Sequence, residues 1–302
     1  MNRVLSGTEP AAEVLESVKS LIKKLGTMQA SPASSKSPSD FRTGNCKLVI
    51  VQVGQDPASD VYVRTKLKKA ESVGMIAELK KLPETAKEKE LLSLVLKLNK
   101  DDSVDGFIVQ LPLPKHINTD KIIEAIDPEK DADGLTPLNI GKLATGTPET
   151  DFLLPATPSG IIRMLEYHEI QVKGKHAVVI GRSNIVGKPI ALMLLNRDAT
   201  VTLCHSKTQN LKSHTLAADI IISAVGTPGL ITADMVKEGA IVIDAGTTKT
   251  KESTVGDVDF GNVIKKADCS PVPGGVGPMT VAMLLFNVVK AAERRKRLPA
   301  DD

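Results

Sequence analysis

The sequence predicts an α/β protein of two domains, each built on a parallel β-sheet. Short, continuous apolar runs recur along the chain, as KLVIVQVG and DGFIVQLPL in the first half and HAVVIG, ATVTLCH, DIIISAVG and GAIVIDAG in the second. Helix-compatible stretches separate these runs, and strands that alternate with helices form parallel sheets covered on both faces. The chain has 302 residues, which is more than one domain usually contains.

The domain boundaries follow from changes in composition. Residues 131–154 are rich in Gly, Thr and Pro, so we expect a first domain at residues 1–156 and a second at residues 157–278. The loop SPVPGGVGPMT then opens a strongly apolar helix, expected at residues 279–302 and packing back on the first domain. A stretch rich in Ser, Pro, Gly and Thr at residues 26–45 predicts a surface loop.

The composition argues against a nucleic-acid partner. The chain carries 39 basic and 36 acidic residues, and this balance, a net charge of +3, is too even to indicate a polyanionic ligand. Aromatic residues make up 2% and Trp is absent, so the platforms on which bases stack are lacking.

The cysteines and the apolar runs bear on compartment and metal binding. Cys46, Cys204 and Cys269 are odd in number and widely spaced, which predicts a reducing compartment and no metal site. No uncharged apolar run reaches the roughly 18 residues of a transmembrane helix, and MNRVLSGTEP lacks the apolar region of a signal peptide. We therefore expect a cytoplasmic protein without a membrane partner.

The segment HAVVIGRSNIVGKPIALMLL has the order of a dinucleotide-binding turn. An apolar strand ends in Gly181, and a short loop with a second glycine, Gly187, opens a helix. Ser183 stands where the usual pattern has its middle glycine, beside Arg182. The alternative is a tight strand-to-helix turn that binds no ligand.

The next strand favours NADP over NAD. An NAD site commonly carries an acidic residue about 20 residues further on, which accepts the ribose 2′-hydroxyl. ATVTLCHSKT has no acid there and instead offers Ser206 and Lys207. With Arg182, these residues supply donors for a 2′-phosphate.

Tyr62 and Lys66 are four residues apart on a predicted helix that Ser59 would cap, so they share one face. A lysine transfers protons near neutral pH only if burial or a neighbouring cation lowers its pKa. The alternative is a solvated face shared with Lys68 and Lys69. Short-chain dehydrogenases also carry YxxxK, but there the motif follows the nucleotide turn, whereas here it precedes it.

Three further features could line a binding site. Gln110 interrupts an apolar strand at its carboxyl end, where ligands of open parallel sheets bind, although a structural amide is the alternative. EKDADGLTPLN contains Asp131 and Asp133 before a glycine, which also fits a simple turn. PGGVGPMT precedes the last helix and suits either an anion or a hinge.

Taken together, seven strings resemble the methylenetetrahydrofolate dehydrogenase/methenyltetrahydrofolate cyclohydrolase family, in its order and spacing. They are VGQDPASDVYVRTKLKKAESVGM, DGFIVQLPLP, EKDADGLTPLNIGKL, PATPSG, GRSNIVGKP, ATVTLCHSKT and SPVPGGVGPMTVAMLL. The resemblance implies a folate-binding catalytic domain and a Rossmann-type NADP-binding domain with a cleft between them. It also implies NADP-dependent oxidation of 5,10-methylenetetrahydrofolate, hydrolysis of the product to 10-formyltetrahydrofolate, and a homodimer.

The resemblance assigns roles to individual residues. Lys66 matches the family's catalytic lysine, Gln110 would hydrogen-bond it, and Tyr62 would pack against the aminobenzoate ring of the folate. Asp133 would accept hydrogen bonds from the pterin. Further folate-binding positions are Val109, Leu111, Pro273, Gly274, Gly275, Val276 and Gly277. The cofactor-binding positions are Gly181, Arg182, Ser183, Ser206, Thr247 and Thr280.

The sequence departs from the family pattern at three positions near the cofactor and leaves other functions open. Ala156 stands where many relatives have Cys, and Thr247 and Thr248 stand where relatives often have Ile-Asn. The alternatives are a monofunctional dehydrogenase, a catalytically silent nucleotide-binding protein, and a dehydrogenase for another acidic metabolite of the shikimate type.

Overall fold

The structure is a computed structural model that describes residues 2–29, 46–55, 57–250 and 253–297. The first helix, α1, spans Thr8–Gln29 and so includes the first four residues of the predicted loop at 26–45. The rest of that predicted loop lies outside the described residues. The chain divides into two compact units, named here by their sheets.

The three-stranded unit contains Glu13–Lys142, Pro148–Leu154 and Leu284–Asp302. Its strands and helices alternate along the chain, as the sequence predicts. They are β1 (Lys47–Val53), α2 (Pro57–Ser72), β2 (Ile76–Leu82), α3 (Glu88–Lys100), β3 (Gly106–Val109), α4 (Thr119–Glu124) and α5 (Pro137–Ala144), with a short 3-10 helix at Glu149–Asp151.

The sheet of this unit is parallel, in the order β2-β1-β3. β1 is buried on both faces, which explains its continuous apolar sequence. One face of the sheet packs against α3 in a core that includes Val49, Val51, Leu91 and Phe107. Ile50 of β1 lies beside Ile108 of β3, and this register places Gln52 beside Gln110 just past the end of β3.

The five-stranded unit contains Met1–Ala12, Leu143–Thr147 and Pro155–Met283. Its regular elements are α6 (Ala156–Tyr167), β4 (His176–Ile180), α7 (Gly187–Leu195), β5 (Thr200–Cys204), α8 (Leu211–Ala217), β6 (Ile220–Ser223), β7 (Ile241–Asp244), β8 (Thr248–Lys249), β9 (Thr254–Val255), α9 (Phe260–Val263) and β10 (Asp268–Cys269), with a 3-10 helix at Ala233–Met235. Its strands and helices alternate from α6 to β6, after which β7, β8 and β9 follow without an α-helix between them among the described residues.

The main sheet of this unit is parallel, in the order β10-β7-β6-β4-β5. The chain runs outward from β4 to β5 and then returns to β6 on the other side of β4. This reversal is the topological switch point at which open α/β sheets bind ligands, beyond the carboxyl ends of the strands. β8 and β9 form a separate antiparallel hairpin.

The last helix, α10 (Val276–Arg297), is shared between the units, which divide at Met283 and Leu284. Within the three-stranded unit, Asn287 Nδ2 donates to the carbonyls of Ala132 and Leu154. Residues Val276–Arg295 are long and apolar enough to cross a membrane, but 67% of their most apolar stretch is buried inside the protein. We therefore interpret α10 as a core helix.

The units differ from the expected domains at both ends of the chain. The first twelve residues belong to the five-stranded unit, because Val4 bridges Cys269 and Leu5 N donates to the carbonyl of Cys269. Such pairing between distant segments leaves no mark in local composition. The division within α10 also falls five residues after the expected helix start at 279.

Candidate active site

Lys66 lies on the buried stripe of α2. Val63, Lys66 and Ala70 recur at helical spacing and face inward, and Lys66 is 9% exposed. Lys68 and Lys69 are exposed and lie outside this stripe. The solvated-face interpretation of Lys66 is therefore wrong, because the lysine occupies a core position.

The start of α2 differs from the sequence prediction. Ser59 is not the N-cap, since the helix begins at Pro57 and Ser59 lies in its first turn, 6% exposed. Proline suits a first helical position because the amide it lacks would have no partner within the helix. The helix starts three residues earlier than a Ser59 cap predicts, and the spacing of Tyr62 and Lys66 is unaffected.

Gln110 fixes the Lys66 amine. Nζ of Lys66 donates to Oε1 of Gln110 at 3.0 Å. Gln110 Nε2 donates to the carbonyl of Leu111 at 2.7 Å, so the amide oxygen is the atom left to face the lysine. The backbone N–H of Gln110 continues the sheet ladder by donating to the carbonyl of Val51. A rigid strand end thus holds the acceptor.

Lys66 and Asp133 form an electrostatically coupled pair. Burial lowers the pKa of Lys66, and the Asp133 charge opposes that shift. Burial likewise raises the pKa of Asp133, and Lys66 opposes this in turn. A buried amine with a depressed pKa can take and return a proton closer to neutral pH than an exposed lysine.

Asp131 builds the turn that presents Asp133. Its carboxylate accepts from Gly134 N at 2.9 Å, Thr136 N at 2.7 Å and Asn139 Nδ2 at 3.1 Å. Burial raises the pKa of Asp131 to about 6. Asp131 also pairs with Phe107 of β3, which sets this turn beside the strand that leads to Gln110. The segment EKDADGLTPLN therefore forms a turn, as one interpretation expects, and also contributes Asp133 to the site.

The other proposed folate positions of this unit are unequally placed. Tyr62 is 37% exposed and lies one helical turn before Lys66. Leu111 is half-buried next to Gln110. Val109 is 4% exposed with its side chain in the core cluster, so only its backbone is available to a ligand.

The predicted nucleotide turn follows β4. Gly181 has a φ of +113°, and a Cβ there would lie 2.3 Å from the carbonyl oxygen of Ala224. A Cβ on Gly187 would meet the carbonyl oxygen of Gly181 at 2.0 Å, so only glycine allows this turn. Ser183 Oγ accepts from the backbone N–H of Val186 and Gly187 and closes the loop.

Donors for a 2′-phosphate follow two neighbouring strands. Ile180, the last residue of β4, pairs with Cys204, the last residue of β5. The residues that follow the two strands therefore lie at the same edge of the sheet. Arg182 and Ser206 are exposed there. The backbone at 205–208 is ordered by hydrogen bonds from His205 N to Thr208 Oγ1 and from Lys207 N to His205 Nδ1. These residues fit a phosphorylated ribose.

The remaining cofactor positions differ in accessibility. Thr247 is exposed, whereas Thr248 is partly buried and donates through Oγ1 to the carbonyl of Gly226 at 3.1 Å. Thr280 already donates to the carbonyl of Val276 within α10 and lies 3.0 Å from Thr157 Oγ1. A ligand would therefore have to share the Thr280 hydroxyl.

The PGGVG loop closes against the start of the chain. Gly274 has a φ of +100°, and its carbonyl accepts from Gly7 N at 2.8 Å. Gly275 has no room for a side chain, since a Cβ would lie 2.5 Å from the carbonyl oxygen of Pro271. Pro273 and Gly277 are exposed and Val276 is buried, so the loop presents mainly backbone at the start of α10.

Two family models match the chain. The catalytic domain of tetrahydrofolate dehydrogenase/cyclohydrolase matches residues 5–133, and the NAD(P)-binding domain of the same family matches residues 155–296. The chain belongs to the tetrahydrofolate dehydrogenase/cyclohydrolase family. The expected α/β fold with a catalytic and a nucleotide-binding domain is confirmed, and the ligand-free interpretation of the Gly181 turn is set aside.

Individual relatives match over nearly their whole length. The bifunctional protein FolD of a Nitratiruptor species is 48% identical over 296 residues, 98% of this chain and 99% of that protein. The FolD structure from Campylobacter jejuni is 45% identical with a TM-score of 0.89, over 97% and 99% of the two chains. A Trypanosoma brucei FolD solved with NADP and an inhibitor is 35% identical with a TM-score of 0.88, over 99% and 100%.

The shikimate-type alternative has the support of fold alone. The shikimate dehydrogenase of Aquifex aeolicus is 13% identical, with a TM-score of 0.50, over 85% of this chain and the whole of that one. At that level, the tetrahydrofolate dehydrogenase/cyclohydrolase family and shikimate dehydrogenases share an architecture, and nothing follows about substrate.

Two buried amides that the sequence did not mark as site residues organise this site. Asn139, 1% exposed, holds the Asp131 carboxylate. Gln52, 2% exposed, interrupts β1 and donates from Nε2 to Asp60 Oδ1 at 2.7 Å, which ties the start of α2 to the sheet. The signal that marked Gln110, an amide at the end of an apolar strand, was equally present at Gln52.

Proposed function

We propose that this chain catalyses two consecutive reactions of one-carbon folate metabolism. The first is NADP-dependent oxidation of 5,10-methylenetetrahydrofolate to the 5,10-methenyl cation, and the second is hydrolysis of that cation to 10-formyltetrahydrofolate. The observation that carries the proposal is the buried Lys66 amine, hydrogen-bonded to Gln110 and coupled to Asp133. Membership of the family and relatives named bifunctional FolD support both reactions.

Lys66 serves the hydrolysis as a proton carrier. Water attacks the methenyl carbon, a C–O bond forms, and neutral Lys66 takes the proton that the water loses. The bond from that carbon to N5 then breaks as the ammonium returns a proton to N5, and the hydroxyl of the adduct loses its remaining proton to solvent as the C=O forms, which leaves the formyl group on N10. Burial favours the neutral amine that begins this cycle, and Gln110 Oε1 directs its donor.

The oxidation depends on alignment more than on acid–base groups. When bound, NADP⁺ would supply the acceptor for the hydride of the methylene carbon. The product is a cation, and the depressed pKa of Lys66 limits the positive charge that would oppose its formation. Arg182 and Ser206 would hold the 2′-phosphate, and the turn from Gly181 through Ser183 would receive the pyrophosphate.

The folate would be held by complementary groups. Asp133, an acceptor when ionised, suits the pterin amino and ring N–H groups, and the exposed ring of Tyr62 suits the aminobenzoate. Gln110, Leu111, the backbone of Val109, and Pro273, Gly274, Gly275, Val276 and Gly277 complete the proposed folate contacts. Thr247 and Thr280 complete the proposed cofactor contacts.

Further proposals concern the setting of the enzyme. We infer a cytoplasmic homodimer that acts on tetrahydrofolate substrates without nucleic acid, membrane or metal. The balanced charge of +3 and the scarcity of aromatic residues support the absence of a nucleic-acid partner. Within the described residues, no three His, Cys, Asp or Glu side chains lie together as a metal site would require.

A coupled spectrophotometric assay tests the proposal. Purified protein is given 5,10-methylenetetrahydrofolate with NADP or NAD in parallel, and reduced cofactor, methenyl cation and formyl product are followed together. We expect reduction with NADP in preference to NAD, and formyl product without lasting accumulation of the cation. Accumulation of the cation alone would indicate a monofunctional dehydrogenase, and NADP binding without reduction would indicate a silent nucleotide-binding protein.

A further inference from the structure

A short loop after β6 lies against the nucleotide turn. Residues 224–227 leave the carboxyl end of β6, which neighbours β4 at the switch point of the sheet. The carbonyl oxygen of Ala224 is so close to Gly181 that a Cβ on Gly181 would lie 2.3 Å from it. Ligands bind at this edge of such sheets, so the position of the 224–227 loop bears on how the cofactor is received.

A buried carboxylate anchors the 224–227 loop from beneath. Asp257 is 0% exposed, and its Oδ2 accepts from Val225 N at 2.8 Å and from Ser223 Oγ at 2.8 Å. Its Oδ1 accepts from Thr227 N at 2.7 Å. Two backbone N–H groups of the loop therefore point inward at the two oxygens of one carboxyl group.

A second buried carboxylate fixes the backbone that carries Asp257. Asp244, 2% exposed at the end of β7, accepts from Asp257 N at 3.0 Å and Val258 N at 2.9 Å. It also accepts from Gly246 N at 2.9 Å. The two carboxylates together tie the ends of β6, β7 and β9 to one another.

Two glycines leave the space that these carboxylates occupy. A Cβ on Gly246 would lie 2.1 Å from Asp257 Oδ1, and a Cβ on Gly256 would lie 2.0 Å from Asp244 Oδ2. Thr248 adds a bond from outside, since its Oγ1 donates to the carbonyl of Gly226. The 224–227 loop is thus held on both sides although Val225 is 45% exposed. An exposed loop with so many fixed polar groups is preorganised.

We propose that Asp257 is a positioning residue for the dinucleotide cofactor, which it serves by holding the 224–227 loop against the turn at Gly181. The proposal rests on the cofactor part of the proposed function. It extends that function to a carboxylate that is fully buried and therefore cannot touch the cofactor itself. Without the anchor, Val225 N and Thr227 N lose their acceptor and the loop must find a new conformation.

The test compares Asp257→Asn with Asp259→Asn. The asparagine at 257 places an amide N–H against a backbone donor, whereas Asp259, two residues on, bonds only Asn262 among the side-chain contacts of the described residues. We expect the NADPH Kd of Asp257→Asn, from the fluorescence of titrated NADPH, to rise about tenfold or more. The Kd of Asp259→Asn should stay within about twofold of the parent.

Kinetics separate positioning from a general loss of structure. In Asp257→Asn, the KM for NADP should rise while kcat at saturating NADP is retained. Hydrolysis of methenyltetrahydrofolate, which needs no nicotinamide, should keep the parental rate. A folded Asp257→Asn protein with the parental NADPH Kd would overturn the proposal. Failure of the parent to bind NADPH would instead contradict the proposed function.

Hydrogen exchange on the unaltered protein decides the matter if Asp257→Asn does not fold. The amides of Val225 and Thr227 should exchange slowly without cofactor, because each donates to a buried carboxylate. Exchange of these amides at the rate of an unstructured chain would show that Asp257 does not hold the loop.

Discussion

Nζ of Lys66 lies 3.0 Å from Oε1 of Gln110, and the Gln110 amide is turned toward the lysine by its own bond to the carbonyl of Leu111. The acceptor is uncharged, so it orients the amine without the stabilisation of the ammonium that a carboxylate would supply. Asp133 supplies the negative charge that acts on Lys66. The ionisation of Lys66 therefore depends on two side chains, Gln110 and Asp133, which can be altered one at a time.

Replacement of Gln110 by a carboxylate should move the pH dependence of hydrolysis upward. In Gln110→Glu, the new charge favours the Lys66 ammonium, so the rise of the hydrolysis rate with pH should shift up by about one pH unit or more. The measurement is the rate of methenyltetrahydrofolate hydrolysis against pH, with Gln110→Met as the uncharged control. Coincident profiles for the parent and Gln110→Glu would contradict the assigned role.

Loss of the Asp133 charge should have the opposite effect. Asp133 raises the pKa of Lys66, so in Asp133→Asn that pKa falls further and the hydrolysis profile moves to lower pH. We also expect the KM for the folate to rise about tenfold or more, because a charged acceptor for its N–H groups is lost. The exposed Asp120→Asn is the control. An upward shift of the profile would refute the coupling.

Burial of the Lys66 amine should lower the free energy of unfolding, although the proposed function requires that burial. Its pKa in the folded state lies below 10.5, so the unfolded chain binds more protons, and stability rises with pH between the folded value and 10.5. Measured with Asp133→Asn as the parent, so that no buried carboxylate is left without its cation, Lys66→Met removes this cost. We expect a higher Tm than the parent near pH 7, with the gap narrowing toward pH 10.5.

Thermal unfolding of Lys66→Met at several pH values checks this expectation, with the exposed Lys69→Met as control. A Tm below that of the parent at pH 7 would mean that the lysine stabilises the unit where it lies.

Arg182 should select the phosphorylated cofactor. In Arg182→Ala, the KM for NADP should rise about 10-fold to 100-fold, the range expected for a lost charge-assisted hydrogen bond, with little change for NAD. Lys188→Ala is the matched control, since Lys188 lies in the first turn of α7 and donates to Asn184. Equal losses with both cofactors would assign Arg182 to the turn rather than to the 2′-phosphate.

The sequence predicts the elements that local patterns specify. HAVVIG and DIIISAVG correspond to β4 and β6 because strands buried on both faces are apolar throughout. The two glycines of the Gly181 turn are also predictable from the sequence, because neighbouring backbone carbonyl oxygens leave no room for a Cβ at either position. Tyr62 and Lys66 share a helix as their spacing indicates.

Other features depend on segments that are distant in the chain. In the sequence, Lys66 resembles the solvated lysines Lys68 and Lys69 beside it, and only the packing of α2 shows that it is buried. The pairing of Asp131 with Phe107, which sets the turn carrying Asp133, joins residues 24 positions apart. Asp257 looks like an ordinary turn residue, and its role follows from a loop 30 positions earlier.

The fate of the methenyl cation in Lys66→Met tests the central claim most directly. The variant is given 5,10-methylenetetrahydrofolate and NADP, and NADPH, methenyl cation and 10-formyl product are followed together, with Lys69→Met alongside. We predict that NADPH still forms while the cation accumulates, with hydrolysis slowed about 100-fold or more. Formyl product at the parental rate would contradict the assignment of the proton chemistry to Lys66.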